Sequence, residues 1–93
     1  METLVNISHG VLVRTLLARH LDVAAEVFED EQHLEHDLGL DPLDLVLVSI
    51  RLEEMEQAEF PVAALERVST VGGLTKLVGA WREANARSGR SAA

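Results

Sequence analysis

Hydrophobic residues recur every three or four positions in separate stretches of this 93-residue chain, a spacing that predicts α-helices rather than strands. The first stretch runs from about Glu2 to His20 and contains few helix breakers apart from Gly10. Its apolar residues cover a broad face, so the pattern does not resolve which side is buried. We predict a first helix over this range.

The next stretch, residues 21–40, is acidic and closes on the helix breaker Gly39. We predict a long, partly ordered loop here. Loops of about twenty residues are uncommon in compact domains and often carry function. Three leucines are expected to hold the loop against the core: Leu34, Leu38 and Leu40.

A second helix has the best-defined start in the sequence. Asp41 can accept hydrogen bonds from the first-turn amides, and Pro42 falls on the first helical position, where an N–H would have no partner. Asp44 adds negative charge beside the positive end of the helix dipole. Apolar residues then cover more than one face, so part of this surface must be exposed or meet a partner. They form the rows Leu43, Val46, Leu47, Ile50 and Leu45, Val48, Leu52, Met55.

The rest of the chain predicts one short helix and one long helix. Pro61 ends the second helical region, and residues 62–68 suit about two turns of helix. Ser69 or Thr70 can cap the last helix, and Arg82 lies towards its negative end. We assign residues 1–87 to one helical domain and residues 88–93 to a disordered tail. The apolar row of the last helix is Val71, Leu74, Leu77, Val78 and Trp81.

The composition fits an all-α fold with a core of leucine, valine and alanine. The chain is 47% hydrophobic, with one tryptophan, two phenylalanines and no tyrosine. It has no cysteine, which excludes disulfides and thiolate chemistry and fits a reducing cytoplasm. At this length we expect a single compact domain.

Charge narrows the possible partners. Sixteen acidic and eight basic residues give a formal net charge of −8, which repels nucleic-acid phosphates and favours basic protein patches. The N-terminus lacks a secretory signal pattern, and no apolar run reaches the ~20 residues of a membrane span. We therefore expect a cytoplasmic protein that does not bind nucleic acid and has no membrane span.

One long motif resembles the signature of acyl carrier proteins. It runs LEHDLGLDPLDLV over residues 34–46, continues as Leu-Glu-Glu at residues 52–54, and extends through Phe60-Pro61 into STVGGL at residues 69–74. The resemblance covers most of the chain in register. It implies a four-helix bundle of three long helices and one short helix with an extended first loop, and the periodicities give the same element order.

The same resemblance singles out position 42. In that family, the serine of an Asp-Ser-Leu-Asp segment is esterified to 4′-phosphopantetheine, and acyl or peptidyl intermediates are carried as thioesters on that arm. Here Pro42 stands in its place and offers neither a hydroxyl nor another nucleophile. We expect no cofactor to be attached there, and Ser49 would lie in mid-helix, away from that surface. Whether Pro42 is native or a substitution of serine stays open.

The resemblance also implies that the second helix is a docking surface, where acidic residues meet arginine and lysine patches on partner enzymes. Leu47 occupies a position where carriers commonly place glutamate, and Arg51 adds a positive charge. The docking surface is therefore altered. The acidic residues that match the family positions are Asp41, Asp44, Glu53 and Glu54.

Three apolar residues of that helix are a further candidate for binding. Leu43, Leu47 and Ile50, spaced i, i+4 and i+7, would form a stripe that suits a partner helix or a second copy of this chain. The alternative is that they pack under the long loop, because apolar residues at helical spacing often belong to the core.

Metal binding and catalysis have little support. His33 and His36 could supply nitrogen ligands, but two histidines do not complete a ligand set, and acidic loops are usually solvated. Gly72-Gly73 lacks the lysine and the preceding strand of a phosphate loop, and we interpret it as close helix packing. No nucleophile is paired with a base, so we expect no enzyme activity. The acidic residues beside the two histidines are Glu31, Glu35 and Asp37.

Three functional hypotheses follow from the sequence. The first is a non-catalytic, carrier-like interaction domain that docks onto enzymes of fatty-acid, polyketide or related biosynthesis without bearing the arm. The second is a genuine acyl or aminoacyl carrier whose native residue 42 is serine, or which is loaded by another route. The third hypothesis, which has less support, is an acidic adaptor protein unrelated to acyl metabolism.

Overall fold

The computed structural model describes residues 8–92, with side chains through residue 87. It contains α1 (His9–Leu21), α2 (Pro42–Glu56) and α3 (Val71–Ala92), with 3₁₀ segments at Ala25–Val27 and Val62–Arg67. This all-helical bundle with a long first loop confirms the predicted fold class. Within the described range, no helix combines the length and apolar character that a membrane crossing requires.

Helix α1 starts later than the sequence predicted. Ser8 has an extended backbone, and its hydroxyl oxygen accepts a hydrogen bond from the Val11 amide at 3.2 Å, so Ser8 is the N-cap. The prediction of a helix that runs through Ser8 is therefore wrong. The predicted start at Glu2 lies outside the described residues. The buried side of α1 comprises Leu12, Val13, Leu16, Leu17 and Ala18.

The core lies mainly between α1 and α3. The predicted row of α3 is confirmed at Val71, Leu74, Val78 and Trp81, which are buried, whereas Leu77 is partly buried at the core's edge. The Trp81 indole nitrogen donates a hydrogen bond to the Glu59 carbonyl at 2.7 Å, which satisfies the only polar group of this ring.

Leucines hold the long loop against the bundle, as predicted. Leu34 and Leu40 are 2% and 1% exposed. The Gly72 amide donates to the Asp30 carbonyl at 2.9 Å, and a Cβ on Gly72 would lie 3.2 Å from that oxygen. Gly72 therefore allows the long loop to approach α3 closely. The interpretation of Gly72-Gly73 as a close contact between two helices is wrong, because the neighbour of Gly72 is this loop. Gly39 takes a left-handed φ of 72° where the loop turns towards α2.

The helix boundaries correct two further expectations. Helix α2 ends at Glu56 with Gln57 in the left-handed region at φ 55°, so this turn, and not Pro61, terminates it. The predicted short helix is the 3₁₀ segment Val62–Arg67. Thr70, rather than Ser69, caps α3, because its Oγ1 accepts the Gly73 amide at 3.0 Å.

A buried ion pair joins the three helices. The Arg82 side chain is 6% exposed, and its Nε lies 3.2 Å from Glu56 Oε2. Its Nη1 also lies 3.2 Å from Nδ1 of His9 at the start of α1. Arg82 is thus part of the interior, and because α3 continues to Ala92 it lies in mid-helix, which corrects its expected place near the negative end of the helix.

Helix α3 continues over residues 88–92, where the sequence predicted a disordered tail. Residues 88–92 read Ser-Gly-Arg-Ser-Ala; glycine is a poor helix former and serine an intermediate one, so local propensity does not account for this last segment, which continues the helix formed by the residues before it. The division of the chain at residue 87 stays a prediction.

Candidate functional site

The start of α2 is built as a reciprocal capping box. Asp41 Oδ1 accepts the Asp44 amide, and Asp44 Oδ2 accepts the Asp41 amide, both at 2.9 Å. Pro42 occupies the first helical position between them and is exposed. Both features confirm the predicted helix start. A side chain at position 42 is therefore accessible from solvent on a fixed helix end.

Helix α1 supports this helix start through one contact that the sequence did not predict. His20 Nε2, in the last turn of α1, lies 2.8 Å from Asp44 Oδ1. The hydrogen bond from the Asp41 backbone and then that from His20 lower the pKa of the Asp44 carboxyl below its ordinary value. Asp44 is therefore held ionised at the positive end of α2. The only indication of the His20–Asp44 contact in the sequence was a histidine in the basic last turn of α1.

We expect the Asp44→Asn variant to be less stable than the wild type above about pH 5, with the difference vanishing in acid. The Asp44 pKa is lower in the folded chain than its unfolded value of about 3.9. The Asp44 carboxylate therefore stabilises the fold at pH values above its pKa in the unfolded chain. This stabilisation is lost as the pH falls through its lower pKa in the folded chain.

Urea unfolding midpoints from pH 3 to pH 7 would measure this difference. Glu54→Gln is the matched control, because it removes one charge from an exposed carboxylate of the same helix. A constant difference between Asp44→Asn and wild type across the range would contradict the assignment.

An apolar cleft of about 480 Å³ opens beside Pro42. Helix α2 supplies Leu45 and Val46, and the segment Val62–Arg67 supplies Val62 and Leu65. This cleft was not predictable from the sequence, because it depends on how the 3₁₀ segment packs against α2. The exposed helix start thus borders a space that can receive an apolar group.

The two loop histidines lie at the edge of this cleft. Their ring centroids are 4.2 Å apart. However, Nδ1 of His33 accepts the backbone amides of Glu35 and His36 at 3.3 and 3.1 Å. That nitrogen orders the loop and is not available to a metal. Within the described residues, no three histidine or carboxylate side chains are grouped to hold an ion.

The predicted apolar stripe of α2 is exposed. Leu43, Leu47 and Ile50 are 65%, 44% and 42% exposed. The stripe therefore does not pack under the long loop, and partner binding through it stays a prediction. Isolated exposed leucines are common, but three on one helix face form a continuous apolar surface.

The acidic candidates have different surroundings. Asp41 and Asp44 belong to the capping box, and Glu53 accepts the Phe60 amide at 2.8 Å, so all three also stabilise local structure. Glu54 is exposed beside the apolar stripe. Ser49 is 1% exposed and donates to the Val46 carbonyl at 2.7 Å, so its hydroxyl faces the interior.

Comparison with known proteins agrees with this geometry. Residues 11–78 match the family described as phosphopantetheine attachment site. Two curated relatives named acyl carrier protein, from Bradyrhizobium strains ORS 278 and BTAi1, are each 37% identical over 79 residues. The aligned region covers 85% of this chain and 95% of each relative.

Proposed function

We propose a function from the premise that this chain belongs to the acyl carrier protein family: it is a carrier domain that docks onto biosynthetic enzymes without bearing a prosthetic group at position 42. Acyl carrier proteins are non-catalytic carriers, so the chain is not an enzyme. The observation that carries the proposal is Pro42 on the exposed first turn of α2.

Position 42 has the location of an attachment site but not its chemistry. A phosphodiester to 4′-phosphopantetheine needs a hydroxyl oxygen, and proline has none. Proline fits the helix start without strain because the first helical amide has no intrahelical partner. The buried Ser49 hydroxyl cannot replace the missing atom. We therefore expect the protein purified from its own cells to carry no arm, and detection of the arm would contradict the proposal.

Docking through α2 is supported by its exposed stripe and the surrounding acidic residues. The net charge of −8 favours a partner with a basic patch. Leu43, Leu47 and Ile50 add an apolar contact to this charge. The proposed partner surface comprises Asp41, Leu43, Asp44, Leu47, Ile50, Glu53 and Glu54. A second copy could also cover the stripe as a homodimer, although the like charges of the two copies oppose this. A cytoplasmic enzyme of fatty-acid or polyketide synthesis fits these requirements.

A Leu47→Lys variant should bind an acyl-carrier-dependent synthase at least about tenfold more weakly than wild type, because a positive charge replaces a central apolar contact and repels the partner's basic patch. Surface plasmon resonance on the immobilised synthase measures this. Val27→Lys is the control, because Val27 is 53% exposed and lies in the long loop. Equal binding by wild type and Leu47→Lys would contradict docking through the stripe.

The intact capping box also favours a second candidate. The Asp-Pro-Leu-Asp start of α2 keeps both aspartates, and a serine at position 42 would occupy an exposed helix start. A genuine acyl or aminoacyl carrier with native serine at position 42 would therefore need only one residue change.

A further inference from the structure

A groove between α1 and α2 combines two arginines with an apolar floor. Arg19 comes from the last turns of α1 and Arg51 from α2, and both line the same space of about 330 Å³. Arg19 and Arg51 are exposed. Two positive charges from different helices thus meet in a protein whose net charge is −8.

Neither guanidinium is neutralised within the described part of the chain. The ion pairs found there engage Arg14, His20 and Arg82, and none involves the groove arginines. Glu54 also lines the groove but lies within ion-pairing distance of neither arginine. Each planar guanidinium therefore keeps donors that match a carboxylate in bidentate geometry.

The floor of the groove is apolar. Leu16 and Met55 line it, and Met55 is partly buried against the core. The thioether of methionine adapts to different side chains more readily than a branched residue does. A ligand here would insert an apolar group between the helices and place a carboxylate near the arginines.

The groove continues into the apolar stripe of α2. Arg51 follows Leu47 by one turn of the helix, so their side chains are neighbours on one exposed face. Helix α2 has 15 residues, about 22 Å in length, which is longer than a small anionic ligand can cover. The combined surface therefore fits an extended segment of protein.

We propose that the α1–α2 groove receives a partner's amphipathic helix whose apolar face covers the stripe and whose acidic flank meets Arg19 and Arg51. This inference rests on the proposed docking function and specifies the chemistry of the partner. The partner would carry acidic residues on the side facing α1, as well as the basic patch that faces the acidic end of α2. Charges of both signs in the partner would fix its orientation.

Two synthetic helical peptides test this assignment. Both carry leucines at i, i+4 and i+7; one has glutamates flanking them on one side and its twin has lysines there. Amide chemical shifts of the ¹⁵N-labelled protein report the site and the dissociation constant. We expect the acidic peptide to bind about tenfold more tightly than its twin and to shift the groove amides of residues 12–19 and 51–55.

The double variant Arg19→Glu/Arg51→Glu should reverse this preference. Arg67→Glu/Lys76→Glu is the matched control, because it changes the net charge equally through exposed residues outside the groove. Equal or tighter binding of the lysine peptide to wild type, reversal by the control variant, or no binding of either peptide would overturn the inference.

The carboxylate that meets the two arginines could also belong to a small amphiphilic acid, and decanoate is the probe for that ligand. If decanoate shifts the groove amides while neither peptide does, the groove binds a small amphiphilic acid and the assignment to a partner helix is wrong. The modification of position 42 is measured by mass and does not involve this groove. Failure of the peptide test therefore remains distinguishable from failure of the proposed function.

Discussion

An Arg82→Ala variant should lose about 3–5 kcal/mol of unfolding free energy, because it leaves the buried Glu56 carboxylate without its cation. The Glu56 side chain is 13% exposed, so water compensates for little of this loss. For a domain of this size, whose total stability is about 5–15 kcal/mol, such a loss is severe. Urea unfolding followed by circular dichroism would measure it.

Two further variants show whether Arg82→Ala loses stability because it leaves an unpaired charge. Arg87→Ala changes an exposed arginine on the same helix and should alter the stability by less than about 0.5 kcal/mol. The double variant Arg82→Met/Glu56→Leu should recover most of the loss, because apolar residues of similar volume often replace a buried pair without cost. A double variant that is no more stable than Arg82→Ala would contradict this explanation.

A Leu34→Ala variant should lose about 2–5 kcal/mol and loosen the long loop beside the cleft. Leu34 is 2% exposed, and its amide donates to the Ser69 carbonyl at 2.8 Å, so it joins the loop both to the core and to the start of α3. Thermal unfolding would measure the loss of stability, and hydrogen exchange of amides 33–40 would report the loosening.

Leu43→Ala provides the matched control for Leu34→Ala. Leu43 is 65% exposed, so the same truncation should change the stability by less than about 0.5 kcal/mol and leave the loop amides protected. Equal effects of the two substitutions would mean that the loop is not held by its buried leucines.

Local signals in the sequence were sufficient for the order of the helices and for the start of α2. Asp41, Pro42 and Asp44 act within one turn, so their pattern alone fixes the cap. The end of α2 was harder to predict. It depends on a left-handed Gln57, a residue with no strong preference for that conformation, whereas Pro61 was a more obvious but later breaker.

The side-chain contacts that the sequence did not predict join residues far apart in the chain. The pair His20–Asp44 joins positions 24 apart, and the contact of His9 with Arg82 joins positions 73 apart. No spacing rule within one helix predicts such pairs. The exposure of the stripe likewise required knowledge of where the long loop lies, which its acidic composition did not specify.

The part of the candidate site that lies on one face of α2 was predictable from the sequence. The stripe residues and the acidic residues of α2 follow from their positions along the helix. The cleft beside Pro42 and the groove at Arg19 were not predictable, because each needs a second element that is brought in by the fold.

This chain is proposed to retain the surface of a carrier but to lack the atom that would be loaded. Intact mass spectrometry tests it directly. Wild type and Pro42→Ser are incubated side by side with coenzyme A and a promiscuous phosphopantetheinyl transferase. Only Pro42→Ser is expected to gain the mass of one phosphopantetheine. Modification of the wild type would contradict the missing attachment atom, and failure of both proteins to react would contradict the retained carrier surface.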